Sequence, residues 1–88
     1  MYKIVRSEVL VPNVIYVKVE APDIAQKARP GQFIILRVDE VGERFPMSLA
    51  GWDRAEGTLE ITFQIMGRST MKLATLGEGD YIMDVVGP

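Results

Sequence analysis

Thr58-Leu59-Glu60-Ile61-Thr62-Phe63-Gln64-Ile65 alternates polar and apolar side chains along its whole length. Successive side chains of an extended backbone point to opposite faces, so Leu59, Ile61, Phe63 and Ile65 share one face and Thr58, Glu60, Thr62 and Gln64 the other. That is the pattern of a half-buried strand. Residues 14–20 repeat it, with Ile15, Val17 and Val19 inward and Tyr16, Lys18 and Glu20 outward. Residues 2–10 and 33–38 are rich in β-branched and aromatic side chains, which suit a pleated surface, and residues 81–86 add another such run. Residues 45–52 read as extended too. Pro46 has no N–H to give a ladder, so it requires an edge, a bulge or a position facing a ligand.

Turn signals separate these runs: Pro12-Asn13, Ala28-Arg29-Pro30-Gly31, Asp39-Glu40-Val41-Gly42-Glu43, Asp53-Arg54-Ala55-Glu56-Gly57 and Gly77-Glu78-Gly79-Asp80. Only residues 69–76 read as helical. Ser69 or Thr70 suits the N-cap, Leu73 and Leu76 fall on one face, and Gly77 stands where a glycine cap belongs. The expected fold is all-β: a six-stranded antiparallel Greek-key barrel with one short α-helix before the last strand, since closure removes exposed strand edges. Its core is expected to include Ile15, Val17, Ile35, Ile61, Phe63 and Leu73.

A chain of 88 residues makes one domain, because a domain this small buries only about 60 to 65% of the surface its unfolded form exposes. With 48% apolar and 25% charged residues, it has the balance of a folded globular protein rather than a disordered one. No apolar run approaches the ~18 residues of a membrane span, and Met1-Tyr2-Lys3-Ile4-Val5-Arg6-Ser7-Glu8 lacks the apolar stretch of a secretory signal. A cytoplasmic protein without a membrane partner is expected. The sequence contains neither Cys nor His, which removes thiolate nucleophiles, thiolate-held zinc or iron-sulfur clusters, and imidazole bases. No catalytic residue and no metal ligand is nominated. Twelve acidic against ten basic side chains argue against a nucleic-acid surface. Any anion site must therefore be small and local.

Two constellations point to such a site. In Glu43-Arg44-Phe45-Pro46-Met47-Ser48-Leu49, Arg44 and Ser48 lie four residues apart on one strand face. A guanidinium fork suits phosphate oxygens, and a hydroxyl further along suits a polar edge of the same ligand. The plainer reading is an edge strand with a surface arginine. In Met66-Gly67-Arg68-Ser69-Thr70-Met71-Lys72-Leu73, Gly67 permits a sharp turn into a helix whose first N–H groups lack helical partners. The plainer reading there is a glycine turn and a helix cap. Together the two shift the balance toward a ligand that carries a diphosphate. Gly77-Glu78-Gly79 fails as a dinucleotide fingerprint, because Ile82 takes the place of the third glycine and a helix precedes it. The acids Asp39, Glu40 and Glu43 lack the spacing of a calcium loop and read as a solvated turn.

On these residues the chain resembles the flavin-binding domain of the ferredoxin-NADP reductase superfamily. Within that superfamily it is similar to the electron-transfer subunits of dihydroorotate dehydrogenase B, sulfide dehydrogenase and NADH-dependent ferredoxin:NADP oxidoreductase. The resemblance runs through Arg29-Pro30-Gly31-Gln32-Phe33, the Arg44 and Gly67 motifs, Gly77-Glu78-Gly79-Asp80 and Val86-Gly87-Pro88, and so covers residues 1–88. It implies FAD as cofactor, held by Arg44, Phe45, Pro46, Met47, Ser48, Ile65, Met66, Gly67, Arg68, Ser69 and Thr70. In the roles it carries over, Arg44 holds the diphosphate, Pro46 and Met47 line the isoalloxazine where many relatives place a tyrosine, and Ser48 reaches the flavin N5 region. Ile65 and Met66 lie near the ribityl or adenosine portion, while Gly67, Ser69 and Thr70 meet the diphosphate.

Relatives continue past the Gly-Pro matched by Gly87-Pro88 into a nicotinamide-binding domain, and this group adds a Cys-ligated iron-sulfur region. Both are absent from these 88 residues. The resemblance therefore implies a domain of a longer NAD(P)H-dependent oxidoreductase, partnered there by the nicotinamide domain and a larger subunit. It also implies weak FAD retention and no turnover by the domain alone. The alternative is a non-catalytic β-barrel module or excised fragment without cofactor, self-associating through its open cleft, because similar barrels serve unrelated functions.

Overall fold

The computed structural model describes residues 1–87, so the Pro88 of the Gly-Pro match lies outside the described residues. Its elements in chain order are β1 (Tyr2–Val11), β2 (Val14–Glu20), α1 (Pro22–Lys27), β3 (Phe33–Arg37), β4 (Phe45–Ser48), β5 (Gly51–Asp53), β6 (Thr58–Gln64), α2 (Arg68–Ala74), β7 (Tyr81–Ile82) and β8 (Asp84–Val86). All pairings are antiparallel. The strands form a five-stranded sheet, β5-β6-β2-β1-β7, and a three-stranded sheet, β4-β3-β8.

This corrects the expected six-stranded closed barrel. Two segments that read as single strands each break and cross between sheets. At the first, the Leu49 N–H donates to the Gln32 carbonyl at 3.2 Å, whereas the next N–H, of Ala50, donates to Glu60 at 2.8 Å. The chain therefore leaves β3 and joins β6 within one residue. At the second, β7 pairs with β1 through Tyr2↔Ile82 and β8 pairs with β3 through Leu36↔Val85. Met83 makes the corner, its N–H donating to the Val38 carbonyl at 3.1 Å. Neither Leu49-Ala50 nor Met83 is a glycine or proline, so the corner residues themselves give no sign of either break.

The inner faces of the sheets enclose the core: Ile4, Ile15, Val17 and Val19 meet Leu59, Ile61 and Phe63, with Ile34, Leu36 and Val85 opposite. Leu73 of α2 is fully buried and closes one end. Ile35 is the exception among the expected core residues, because β3 runs in the opposite phase: Ile34 and Leu36 are buried and Ile35 turns outward, half-buried.

Two helices occur where one was expected. α1 begins with Pro22 in its first turn, has Asp23 there and ends with Lys27, a charge order that complements the helix dipole. Buried Ala21, Ala25 and Ala28 let it lie close against the sheet. α2 spans Arg68–Ala74 rather than 69–76. Gly67, at φ 102°, takes the N-cap position assigned to Ser69 or Thr70, and Thr75 rather than Gly77 is the C-cap. The Gly77–Asp80 region is a turn pinned to β1, the Gly79 N–H donating to Ile4 and the Ile4 N–H to Asp80, both at 2.8 Å.

Gly57 fixes the approach of α1. It has φ +73°, and a Cβ there would meet Pro22 Cβ at 2.9 Å. Its carbonyl also accepts the Ala21 N–H at 2.9 Å. Gly57→Ala is therefore expected to cost roughly 1 to 3 kcal/mol of unfolding free energy. Urea denaturation checks it, and an unchanged midpoint would contradict this packing.

Candidate functional site

Consider first the edge strand β4. Its side chains alternate strictly: Phe45 and Met47 turn inward and pack against the core, while Pro46 and Ser48 turn outward and are exposed, in phase with Arg44 just before the strand. Because Leu49 N–H bonds toward β3, Phe45 and Met47 face β3 with their backbone groups, and those of Pro46 and Ser48 point to the open edge. Pro46 thus occupies a position where the missing donor leaves no ladder bond unmade.

Cross-strand register extends this outward face. Ile35 lies opposite Pro46 on one side and Val86 on the other, and Phe33 lies opposite Ser48. Phe33 is 58% exposed and Val86 47%. Phe33, Ile35 and Val86, with Gly31, Gln32 and Gly87, line a shallow cleft of about 410 Å³. Beside this apolar floor runs the outward row of β4, with Ser48 at one end and Arg44 at the other, roughly 13 Å apart along the strand.

A second cleft, about 420 Å³, opens beside the Arg44 end between the β3–β4 loop and α2, lined by Val38, Gly42, Glu43, Phe45, Arg68 and Lys72. The loop is held by its own side chains. Arg37 donates to the Glu40 carbonyl at 2.7 Å and the Gly42 carbonyl at 3.1 Å. Asp39 Oδ1 accepts the N–H groups of Val41 and Gly42 and, at 2.9 Å, the Lys72 ammonium. That lysine, first among the causes, holds the Asp39 carboxyl below the usual carboxylate range. The Asp39 carboxylate is thereby engaged by the chain's own donors.

At α2, Thr70 Oγ1 accepts the Met66 N–H at 2.7 Å and donates to the Gly67 carbonyl at 3.1 Å, so its hydroxyl fixes the turn. Ser69 Oγ donates to Glu43 Oε1 at 3.1 Å, which brings this turn against the residue preceding Arg44. Arg68 makes no ion pair among the described residues. A Cβ at Gly67 would meet open space, so the backbone there is accessible. Ile65 is half-buried, its N–H bonded to the Asn13 carbonyl at 2.8 Å, and Met66 is 74% exposed.

Arg44 itself is paired. Its Nη1 donates to Asp84 Oδ2 at 2.7 Å, with the side chains 51% and 35% exposed. The guanidinium holds the Asp84 carboxyl below the usual carboxylate range. Sequence reasoning missed Asp84, which lies 40 residues away; Glu43, adjacent to Arg44, was within reach of a charge-neighbour argument. The strongest titration shift lies elsewhere. Tyr16, on the outer face of the five-stranded sheet, is pushed from 10.0 up to about 12 by burial and by its hydrogen bond to Glu60.

The residues of the Arg44 and Gly67 motifs therefore divide into three groups. Arg44, Pro46 and Ser48 share the outward face. Gly67, Arg68, Ser69 and Thr70 gather beside Glu43. Phe45 and Met47 lie behind the strand, and their backbone groups are turned to β3 rather than to the open edge.

No family model matches the chain. It is 48% identical over 88 residues, its full length, to the "uncharacterized protein in adh 3'region" of Clostridium beijerinckii, covering 30% of that protein. To the "dihydroorotate dehydrogenase B (NAD(+)), electron transfer subunit homolog" of Thermotoga maritima it is 36% identical over 98% of the chain and 30% of the relative. The corresponding electron transfer subunit of Desulforamulus reducens shares 34% identity, again over 98% of the chain and 34% of the relative. Among solved structures, a chain from the work on flavin-based electron bifurcation by the NADH-dependent reduced ferredoxin-NADP oxidoreductase superposes with a TM-score of 0.97 and 35% identity. That match covers 100% of this chain and 32% of the other. The chain thus spans about a third of the length of the curated relatives it matches.

Proposed function

We propose that the chain, which is similar to the dihydroorotate dehydrogenase B electron transfer subunits and superposes on a chain of the NADH-dependent reduced ferredoxin-NADP oxidoreductase structure, is a member of the ferredoxin-NADP reductase superfamily and the flavin-binding module of an NAD(P)H-dependent electron-transfer oxidoreductase. The observation that carries this reading is the outward row Arg44, Pro46, Ser48 on an open strand edge, floored by Phe33, Ile35 and Val86.

The donor set fits FAD. An apolar floor suits a flat ring system, the exposed Ser48 N–H and hydroxyl suit its polar edge, and Arg44, Arg68 and Ser69 suit the diphosphate. The accessible Gly67 backbone lets the chain approach phosphate oxygens without a side chain intervening. Since α2 has seven residues, its dipole is short, and the arginines and hydroxyls carry most of the anion affinity. Bound flavin would supply electron transfer between a two-electron hydride donor and a partner acceptor. This chain's residues contribute binding and orientation. Phe45 and Met47 anchor β4 to the core, which keeps Arg44 and Ser48 aligned, and Thr70 keeps the Gly67 turn in shape.

We place the nicotinamide-binding domain, the iron-sulfur region and the contact with a larger subunit in the two thirds of the relatives that this chain does not span. The exposed face around Phe33 and Val86 suits an apolar partner surface. The test has two arms. FAD added to the 88-residue chain should give saturable binding by flavin fluorescence. NADH oxidation in the same mixture should stay at the free-flavin rate, because holding two reactants in contact is worth up to roughly 7 to 11 kcal/mol of barrier, and this chain positions only one of them. No saturation would remove the flavin assignment; saturable NADH turnover above the free-flavin rate would show that the hydride-donor site lies within these residues.

A further inference from the structure

We propose that Asp84 and Glu43 are built-in counter-anions, occupying Arg44 and Ser69 in the free protein in place of a ligand's phosphate groups, so that a phosphate-bearing ligand binds by displacing them. This rests on the flavin reading above. The two contacts are separate: Arg44 Nη1 donates to Asp84 Oδ2 at 2.7 Å, and Ser69 Oγ donates to Glu43 Oε1 at 3.1 Å. They involve two of the three side chains named above for phosphate oxygens, on different elements.

The geometry is that of stand-ins rather than of fixed supports. Each contact is a single bond. Arg44 can donate five, and among the described residues its guanidinium makes only this one, from a side chain 51% exposed. A single water-exposed bond of this kind contributes little to stability and yields readily to a ligand offering several charged oxygens. Nor is Asp84 merely neutralising its strand neighbour. Its cross-strand partner is Arg37, but the Arg37 guanidinium is committed to the carbonyls of Glu40 and Gly42, and the carboxylate reaches past it to Arg44. The Lys72–Asp39 pair looks alike yet belongs to a different class, because Asp39 also holds the Val41 and Gly42 N–H groups and so maintains its loop.

The charge balance has a consequence for selectivity. With the carboxylates in place, an uncharged flavin meets no opposition at the apolar floor, whereas an anion must exchange with one or both acids. Only a ligand long enough to reach both Arg44 and Ser69 replaces both, which favours a diphosphate over a single phosphate.

The experiment uses the full 88-residue chain and the variants Asp84→Asn, Glu43→Gln and their combination, titrated with inorganic pyrophosphate, FAD and riboflavin at low and high salt. Each single change should tighten FAD and pyrophosphate by roughly 3- to 10-fold at low salt, the scale of one carboxylate a few ångströms from an exposed anion. Riboflavin should be unaffected, and the gain should shrink as salt screens it. Glu43 is exposed, so Glu43→Gln gives the answer even if Asp84→Asn fails to fold. Weaker FAD binding by Asp84→Asn would make Asp84 a positioning residue for Arg44 and overturn the proposal. Unchanged affinities with FAD still preferred over riboflavin would overturn it alone. Failure of every form to bind either flavin would overturn the flavin reading and this proposal together.

Discussion

Arg44→Ala is expected to weaken FAD binding by roughly 10- to 150-fold, equivalent to about 1.5 to 3 kcal/mol, the range for a hydrogen bond to a charged group. The fold should survive, because the interaction lost within the protein is a half-exposed ion pair to Asp84, a class worth at most about 1 kcal/mol. Two effects act in the same direction. The guanidinium that would hold phosphate oxygens is gone, and Asp84 is left uncompensated beside the same oxygens. Riboflavin, with no phosphate, should bind wild type and variant nearly alike. Equal losses for FAD and riboflavin, or none for either, would remove Arg44 from the ligand site and leave it a surface arginine.

Ile34→Ala should cost about 2 to 5 kcal/mol of stability, the range for deleting a fully buried branched side chain, since Ile34 is 0% exposed between the two sheets. Ile35→Ala should cost about 1 kcal/mol or less. Ile35 packs on the outward face beside Pro46 and Val86, so its truncation should lower flavin affinity instead. Small domains have total stabilities near the lower end of about 5 to 15 kcal/mol, and Ile34→Ala could leave much of the chain unfolded at room temperature. Paired urea titrations settle the matter. Comparable losses at the two positions, or a larger loss at Ile35, would mean that β3 presents its other face to the core.

That pair also marks how far local pattern reaches. In β2 and β6 the polar residues alternate with the apolar ones, and the faces Ile15-Val17-Val19 and Leu59-Ile61-Phe63 are the ones buried. In Phe33-Ile34-Ile35-Leu36 every side chain is apolar, so the pattern has no phase and only the register against β4 and β8 decides it. The two corners at residues 49–50 and 83 are equally silent, because a backbone can change its hydrogen-bonding partner without any change in side-chain periodicity. α1 was legible in principle from Pro22, Asp23 and Lys27, but it is short and lacks an apolar stripe, and its buried residues are alanines.

At the candidate site, the spacing of Arg44 and Ser48 correctly implies one shared face, and the same alternation sends Phe45 and Met47 behind the strand. The Gly67 turn was legible as a turn because only glycine adopts its φ without strain. The carboxylate partners were not. Asp84 reaches Arg44 across β3, and Glu43 reaches Ser69 across the mouth of a cleft, contacts that exist only once three segments distant in sequence have been brought together.

The exposed floor of Phe33, Ile35 and Val86 sets the conditions under which the assignment can be read. In the proposed parent this face is covered by ligand and by a partner domain; in the 88-residue chain it meets water, which weakens flavin binding and favours self-association through the same patch. The most direct measurement is therefore gel filtration of the folded chain incubated with excess FAD, monitoring protein and visible flavin absorbance together at more than one protein concentration. The account predicts flavin absorbance travelling with the monomer peak and diminished by Arg44→Ala. A folded monomer that elutes colourless at every concentration would contradict it.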